Sequence, residues 1–131
     1  MIVSLHVATG GAVGALAGSR SRALLLGPPA HLLGDRIPHQ DIASRRFEIG
    51  SGLACLALLA ARRGAFSAVT LGAVAASAPD LEHIFPALRP RGRKLFHGGR
   101  GWHRSGSFSA NLQLLAAGAI VGFLLSPSRR R

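Results

Sequence analysis

The apolar residues of this chain fall into five runs separated by polar breaks of unequal length. The first extends from Met1 to Gly18, with His6 its only strongly polar side chain. The second covers Ala23 to Gly34 and is interrupted by Gly27-Pro28-Pro29. Two prolines inside a helical stretch predict a kinked or two-part helix. The third run is Ile49 to Ala61, the fourth Ala65 to Ala78, and the fifth Ala110 to Leu125. Pro38 has no N–H and biases Ile37 away from helix, so the second helix is expected to end near there. Residues 84–109 form a basic, Gly- and Pro-containing loop within one domain covering residues 1–131.

The runs lack a polar face. A helix that is apolar all round is either buried or membrane-spanning. The favoured expectation is therefore an all-α, small integral membrane bundle of about five short apolar helices. A full span takes about 20 apolar residues, with about 17 as the lower limit. Only the first run reaches that, so the others need snorkelling arginines or a locally thinned bilayer. Three or four spans with interfacial helices is one alternative. A compact bundle of short helices buried on each other is another. Gly10, Gly11, Gly14 and Gly18 supply small-residue spacings that allow close helix approach. The first run lacks the basic start of a signal peptide, although Ala15-Leu16-Ala17 imitates a cleavage site.

If the five runs alternate in direction, the polar residues sort by end. Arg20, Arg22, Arg62, Arg63 and the C-terminal arginines fall at one end. Every histidine and every acidic residue falls at or toward the other. Solvated residues scattered without function would not sort in this way, and ionisable groups beside membrane-buried helix ends are expensive and mark function.

Composition sharpens this picture. The 131 residues carry a net charge of +11, only five acidic residues, no tyrosine and one cysteine. Cys55 lies inside an apolar run, so it forms no intrachain disulfide and reads as a small packing residue. The basic segment has Phe96, Trp102 and Phe108 as its aromatics and no nucleic-acid motif, which disfavours nucleic acid as a partner.

The candidate chemistry is metal binding. His31 and Asp35 lie four apart on one helix face, and Asp80 and His83 lie three apart. His39 and Asp41 follow Pro38 and can fold back toward the first pair. Imidazoles and carboxylates are the usual protein ligands of Zn²⁺ and other divalent ions. His6, His39 and His103 can complete one or two shells. His97, in the Gly-rich stretch His97-Gly98-Gly99-Arg100-Gly101-Trp102-His103-Arg104, is assigned to a mobile basic loop instead. Asp80, Glu82 and Arg104 are the candidate catalytic residues, Asp80 doubling as a ligand. Glu82 would be a base or a solvated residue, and Arg104, with Arg36 and Arg100, would hold an anion such as phosphate. For any single arginine, charge compensation or contact with anionic lipid is the competing role.

Three short motifs carry a resemblance. Ser4-Leu5-His6 precedes a glycine-rich helix, Ala78-Pro79-Asp80-Leu81-Glu82-His83 ends one, and Arg100-Gly101-Trp102-His103-Arg104-Ser105 precedes another. This order resembles the YdjM-type family of bacterial inner-membrane proteins, with Glu82 where the family has a second Asp and no Thr-His-Ser triplet. The resemblance implies a membrane-bound metal-dependent hydrolase of the inner membrane. His31-Leu32-Leu33-Gly34-Asp35 is also similar to part of the zinc-dependent phospholipase C and nuclease pattern. Together these lead to an expected hydrolysis of a phosphoester, with membrane lipid and a phosphorylated or lipid-like substrate as partners. A non-enzymatic membrane protein that binds or moves a metal ion is the alternative, and a basic nucleic-acid-binding protein the second.

Overall fold

A computed structural model describes residues 1–98 and 104–127. Five helices of ten or more residues dominate it: α1 (Val3–Ala17), α2 (Arg20–Asp35), α3 (Arg45–Arg63), α4 (Ala68–Ser77) and α6 (Ala110–Leu125). Between α4 and α6 the chain makes a 3₁₀ turn at Ala78–Asp80, a short helix α5 (Leu81–Ile84), and two further 3₁₀ turns at Pro86–Leu88 and Pro90–Gly92. The described residues contain no strand, only isolated parallel bridges from His39 to Ser105 and Phe108.

Serines start four of the five long helices. The side chains of Ser19, Ser44, Ser67 and Ser109 each accept a hydrogen bond from the backbone N–H three residues on. Each satisfies one of the orphan donors of a helix N-terminus. Gly18 and Gly64 end α1 and α3 with positive φ, which a residue without Cβ adopts at no steric cost. α2 runs as one helix through Pro28 and Pro29, so the expected division into two parts does not occur.

The helices alternate in direction. Gly34 near the end of α2 packs on Met1 and His6, and Gly10 and Gly14 of α1 pack on the end and the start of α4 respectively. Gly52 and Leu59 of α3 meet Val3 and Gly11, so α3 runs parallel to α1. α6 also runs with α1: the Ile2 N–H donates to Gln113 Oε1 at 3.0 Å, and Leu124 lies over Gly11. Arg20, Arg22, Arg62 and Arg63 therefore lie at the end opposite His6, His31, Asp35 and Asp80.

The expected integral membrane bundle is overturned. Among the described residues no helix is long and apolar enough to cross a membrane. α1 has only 15 residues, about 22 Å at 1.5 Å per residue, against a hydrocarbon core of about 30 Å. α3 is longer, at 19 residues, but carries Arg45, Arg46, Glu48, Arg62 and Arg63. The expectations of transmembrane helices and of an inner-membrane location fall with the bundle. The apolar runs lack a polar face because small residues let α1, α2 and α4 pack against one another on several sides. Their larger side chains, such as Leu16, Leu25 and Phe123, point outward.

α1 and α4 touch backbone to backbone. A Cβ added at Gly72 would lie 2.4 Å from the Gly10 carbonyl oxygen and 2.9 Å from the Gly14 Cα. Gly72→Val should therefore force the helices apart and cost about 1–3 kcal/mol or more. Gly118, where an added Cβ meets nothing within 4 Å, is the control. Gly118→Ala should be neutral or gain up to about 1 kcal/mol from helix propensity. Thermal unfolding of the two variants checks the difference.

Candidate metal centre

Three helix ends converge at the polar end of the bundle. α1 contributes His6, the last turn of α2 contributes His31 and Asp35, and the turn after α4 contributes Asp80. The spacing of His31 and Asp35 places both on the face of α2 that meets α1 and α4. His31 is anchored by α4, since its Nδ1–H donates to the Ala76 carbonyl at 2.7 Å. This fixes the tautomer, so Nε2 carries the lone pair and faces the cluster.

The fourth contributor is His97, which the sequence alone assigns to a mobile loop. Its ring is only 5% exposed. Glu82 holds it there. The Glu82 carboxylate accepts the backbone N–H groups of Leu95 (2.6 Å), Phe96 (3.3 Å) and His97 (2.9 Å). It also accepts His97 Nδ1–H at 2.6 Å. Burial opposes ionisation of Glu82, but these hydrogen bonds prevail and hold its pKa down to about 2. Glu82 thus folds the basic segment onto the bundle and turns His97 Nε2 inward.

Three acceptor atoms then meet. His31 Nε2 lies 3.0 Å from His97 Nε2 and 3.3 Å from Asp35 Oδ2, and His97 Nε2 lies 3.1 Å from Asp35 Oδ2. With both Nδ1 atoms donating elsewhere, the Nε2 atoms of the neutral rings and a carboxylate oxygen face one another. That arrangement is repulsive unless a proton on one imidazole or a bound cation lies among them. Bonds of 2.0–2.1 Å to a tetrahedral Zn²⁺ correspond to ligand–ligand separations of about 3.3 Å, close to those seen. Asp80 Oδ1 stands farther off, 3.8 Å from His31 Nε2 and 3.7 Å from His97 Nε2.

The surrounding groups fit a cation as well. Asp80 Oδ2 and His6 Nδ1 are buried with no hydrogen-bond partner among the described residues. His6 Nε2–H donates to Asp35 Oδ1 at 3.0 Å, and its ring stacks on His31 with centroids 3.7 Å apart. Burial, with the neighbouring His31 and N-terminal charges, lowers the His6 pKa to about 3 despite the Asp35 contact, so its ring is neutral. Burial likewise pushes the Asp35 carboxyl up, but its close contacts with His31, His6 and His97 outweigh it and leave the group ionised well below the usual carboxylate range. Burial raises the Asp80 pKa, and the Asp35 charge adds to it. His83 faces His97 with ring centroids 4.3 Å apart, and burial and the His97 charge lower its pKa to about 4.

The other predicted residues fall elsewhere. His39 is buried, but its Nδ1 pairs with the Ile37 carbonyl at 2.7 Å and its Nε2 meets the Met1 amino group and Asp41. It joins none of the ligand triads, which are His6–His31–Asp80, His31–Asp35–His97 and Asp80–His83–His97 among the described residues. The Met1 amino group also meets Asp35 Oδ1. Arg36 and Arg104 are exposed. Arg104 joins the site through its backbone, its N–H reaching the Asp35 carbonyl and its own carbonyl accepting from His39. His103 and Arg100 lie outside the described residues.

A pocket of about 460 Å³ opens beside the triad. Asp35, Asp80 and His97 line it, together with two arginines that sequence reasoning did not single out, Arg45 and Arg89. Arg45 Nη2 donates to the His83 carbonyl at 2.7 Å, and Arg89 Nε donates to the Glu82 carbonyl at 2.8 Å. Each guanidinium has five N–H donors, so both retain donors for an anion. Asp41 and Glu48 also border the pocket. Burial raises the Glu48 pKa, and the Asp41 and Asp80 charges add to it.

Glu82→Gln tests the hold on His97. The charge-assisted bonds weaken and the ring loses its fixed orientation. Affinity for Zn²⁺ should fall about 10- to 100-fold, the usual cost of losing an outer partner of a metal-ligating histidine. Titration against a zinc-sensitive dye reads this directly. Comparison with family models, curated proteins and solved structures finds no match to this chain, so the resemblance to the YdjM-type family gains no support there.

Proposed function

We propose that this protein is a metal-dependent hydrolase of phosphoesters. The ion is divalent, zinc by the chemistry of its donors, and the ligands are His31, Asp35 and His97. The observation that carries the reading is the convergence of His31 Nε2, His97 Nε2 and Asp35 Oδ2 within 3.0–3.3 Å, with both imidazole tautomers fixed from behind. Three protein ligands and an open side are the pattern of catalytic rather than structural zinc sites.

Held by His31, Asp35 and His97, a divalent ion would supply Lewis acidity, activating a water near neutral pH and polarising a phosphoryl oxygen. The chain supplies the rest. Asp80, its pKa raised by burial and its Oδ2 without a hydrogen-bond partner among the described residues, accepts the proton of the attacking water. Arg45 and Arg89, at the pocket wall, hold the anionic oxygens of the ester. Glu82 is a positioning residue that acts through His97.

The test is hydrolysis of bis(4-nitrophenyl) phosphate and 4-nitrophenyl phosphate by protein loaded with one equivalent of Zn²⁺. Turnover that chelator removes and Zn²⁺ restores is expected. Tight zinc binding without turnover of any phosphoester would leave a metal-binding protein and not an enzyme.

Metal binding should depend on pH in a defined direction. Burial lowers the His97 pKa, but hydrogen bonds to Asp35 and Glu82 outweigh it and raise the pKa above the ordinary histidine value of about 6.5. Below the raised pKa a proton occupies His97 and competes with the ion. Zinc affinity should therefore climb as pH rises through that range and fall on acidification. Calorimetric titration at several pH values, with proton release measured in buffers of different ionisation enthalpy, checks this.

A further inference from the structure

A second space adjoins the pocket over the triad. An apolar groove of about 180 Å³ runs between α3 and α4 over the start of α1. Val3, Ile49, Asp80 and Ile84 line both spaces, so the two adjoin. Beyond those four residues the groove walls include Val7, Leu53, Leu56 and Val74. Ser77 is also there, but its hydroxyl donates to the Ala73 carbonyl at 2.9 Å. Leu53 and Val74 stand at the rims, 60% and 43% exposed. Gly52 lies flush against α1, where an added Cβ would come within 2.5 Å of Val3 Cγ1.

The juxtaposition is chemically specific. One end holds the metal ligands with Arg45 and Arg89, which suit an anionic phosphoryl group. The other end offers only apolar walls. We infer that the substrate is an amphiphilic phosphoester whose phosphoryl group sits at the His31–Asp35–His97 triad and whose alkyl chain lies in the groove between α3 and α4. This rests on the hydrolase reading above and adds the substrate class to it. The shared wall of the two spaces favours an alkyl chain attached to the bound anion, because the groove lies directly beside the place where the anion is held. Transfer of apolar surface from water drives its binding.

Binding of non-hydrolysable phosphonates by the zinc-loaded full chain tests the inference without relying on turnover. Methyl-, butyl- and octylphosphonate are titrated calorimetrically below their micellar concentrations. Affinity should rise with chain length, octyl binding at least tenfold tighter than methyl, since each buried methylene favours binding by up to about fourfold. Val74→Trp and Leu53→Trp fill the groove from opposite walls at exposed positions. Each should abolish the gain with chain length while leaving methylphosphonate affinity and zinc content unchanged. Equal affinity for methyl- and octylphosphonate would overturn the groove assignment and leave the hydrolase reading standing. A chain-length gain that survives in both tryptophan variants would place the chain elsewhere and overturn it too. So would a dimer that Val74→Trp dissociates, since a second copy would then fill the groove. Failure of the zinc-loaded protein to bind any of the phosphonates would overturn the anion pocket and the groove assignment together.

Discussion

Asp35→Ala should abolish stoichiometric zinc binding. Asp35 is 2% exposed, and both of its oxygens are used within the cluster. Oδ2 faces His31 and His97, and Oδ1 accepts a hydrogen bond from His6 Nε2–H. It is the only negatively charged member of the triad, so its loss leaves neutral imidazoles with no charge to offset desolvation of a dication. The expected loss of affinity exceeds the roughly 10- to 100-fold of an outer-partner mutation such as Glu82→Gln. Asp35→Asn keeps the side-chain volume and should also lose zinc, which separates loss of the ligand from loss of packing. Arg62→Gln, at the opposite end of the bundle, should keep full zinc content. Elemental analysis of the folded variants after dialysis reads all three. Full occupancy in Asp35→Asn, or zinc loss in Arg62→Gln with the fold intact, would remove Asp35 from the centre.

Asp80→Asn should separate catalysis from metal binding. Asp80 lies outside the close triad, its nearer oxygen 3.7 Å from His97 Nε2 and 3.8 Å from His31 Nε2. An amide cannot accept the proton of the attacking water. The kcat for phosphoester hydrolysis should fall about 10²- to 10⁴-fold, the usual contribution of a positioned general base. Zinc content should stay near that of the unaltered protein. Loss of zinc in Asp80→Asn would instead make Asp80 a ligand, and unchanged kcat would leave it without a role in proton transfer.

Much of the helical order is legible in the sequence, because each apolar run ends at a charged or Gly/Pro break, and every connection, short between α1 and α2 and long between α4 and α6, returns the chain in the opposite direction. The alternation of the helices, and with it the gathering of His6, His31, Asp35 and Asp80, follows from those connections. Membrane spanning is where the reading fails. Runs rich in Gly and Ala resemble spans because they have no polar face. In the structure Gly10, Gly14, Gly27 and Gly72 bring backbones into contact instead. The serines that cap the helices give a local signal the hydrophobic pattern does not contain.

The site divides in the same manner. The i, i+4 pair His31 and Asp35 is local, and helical geometry alone brings it together. His97 is not local. It reaches the cluster through a loop held by Glu82, 15 positions earlier in the chain. Periodicity carries no information about such a contact, and a glycine-rich neighbourhood reads as mobile. One signal was available: Glu82 is among the five acidic residues of a chain of net charge +11, and the segment after it is strongly basic. Arg45 and Arg89 were missed because nothing in their spacing distinguishes them from the other arginines.

The central claim is that one divalent ion is held by His31, Asp35 and His97. X-ray absorption at the zinc edge, on protein loaded with one equivalent of Zn²⁺, tests it most directly when paired with His97→Ala. The expected spectrum shows nitrogen and oxygen neighbours at about 2.0–2.1 Å, with the outer-shell scattering of two imidazoles in the unaltered protein and of one in His97→Ala. Failure to retain zinc in the unaltered protein, or an imidazole count that His97→Ala leaves unchanged, would contradict the account.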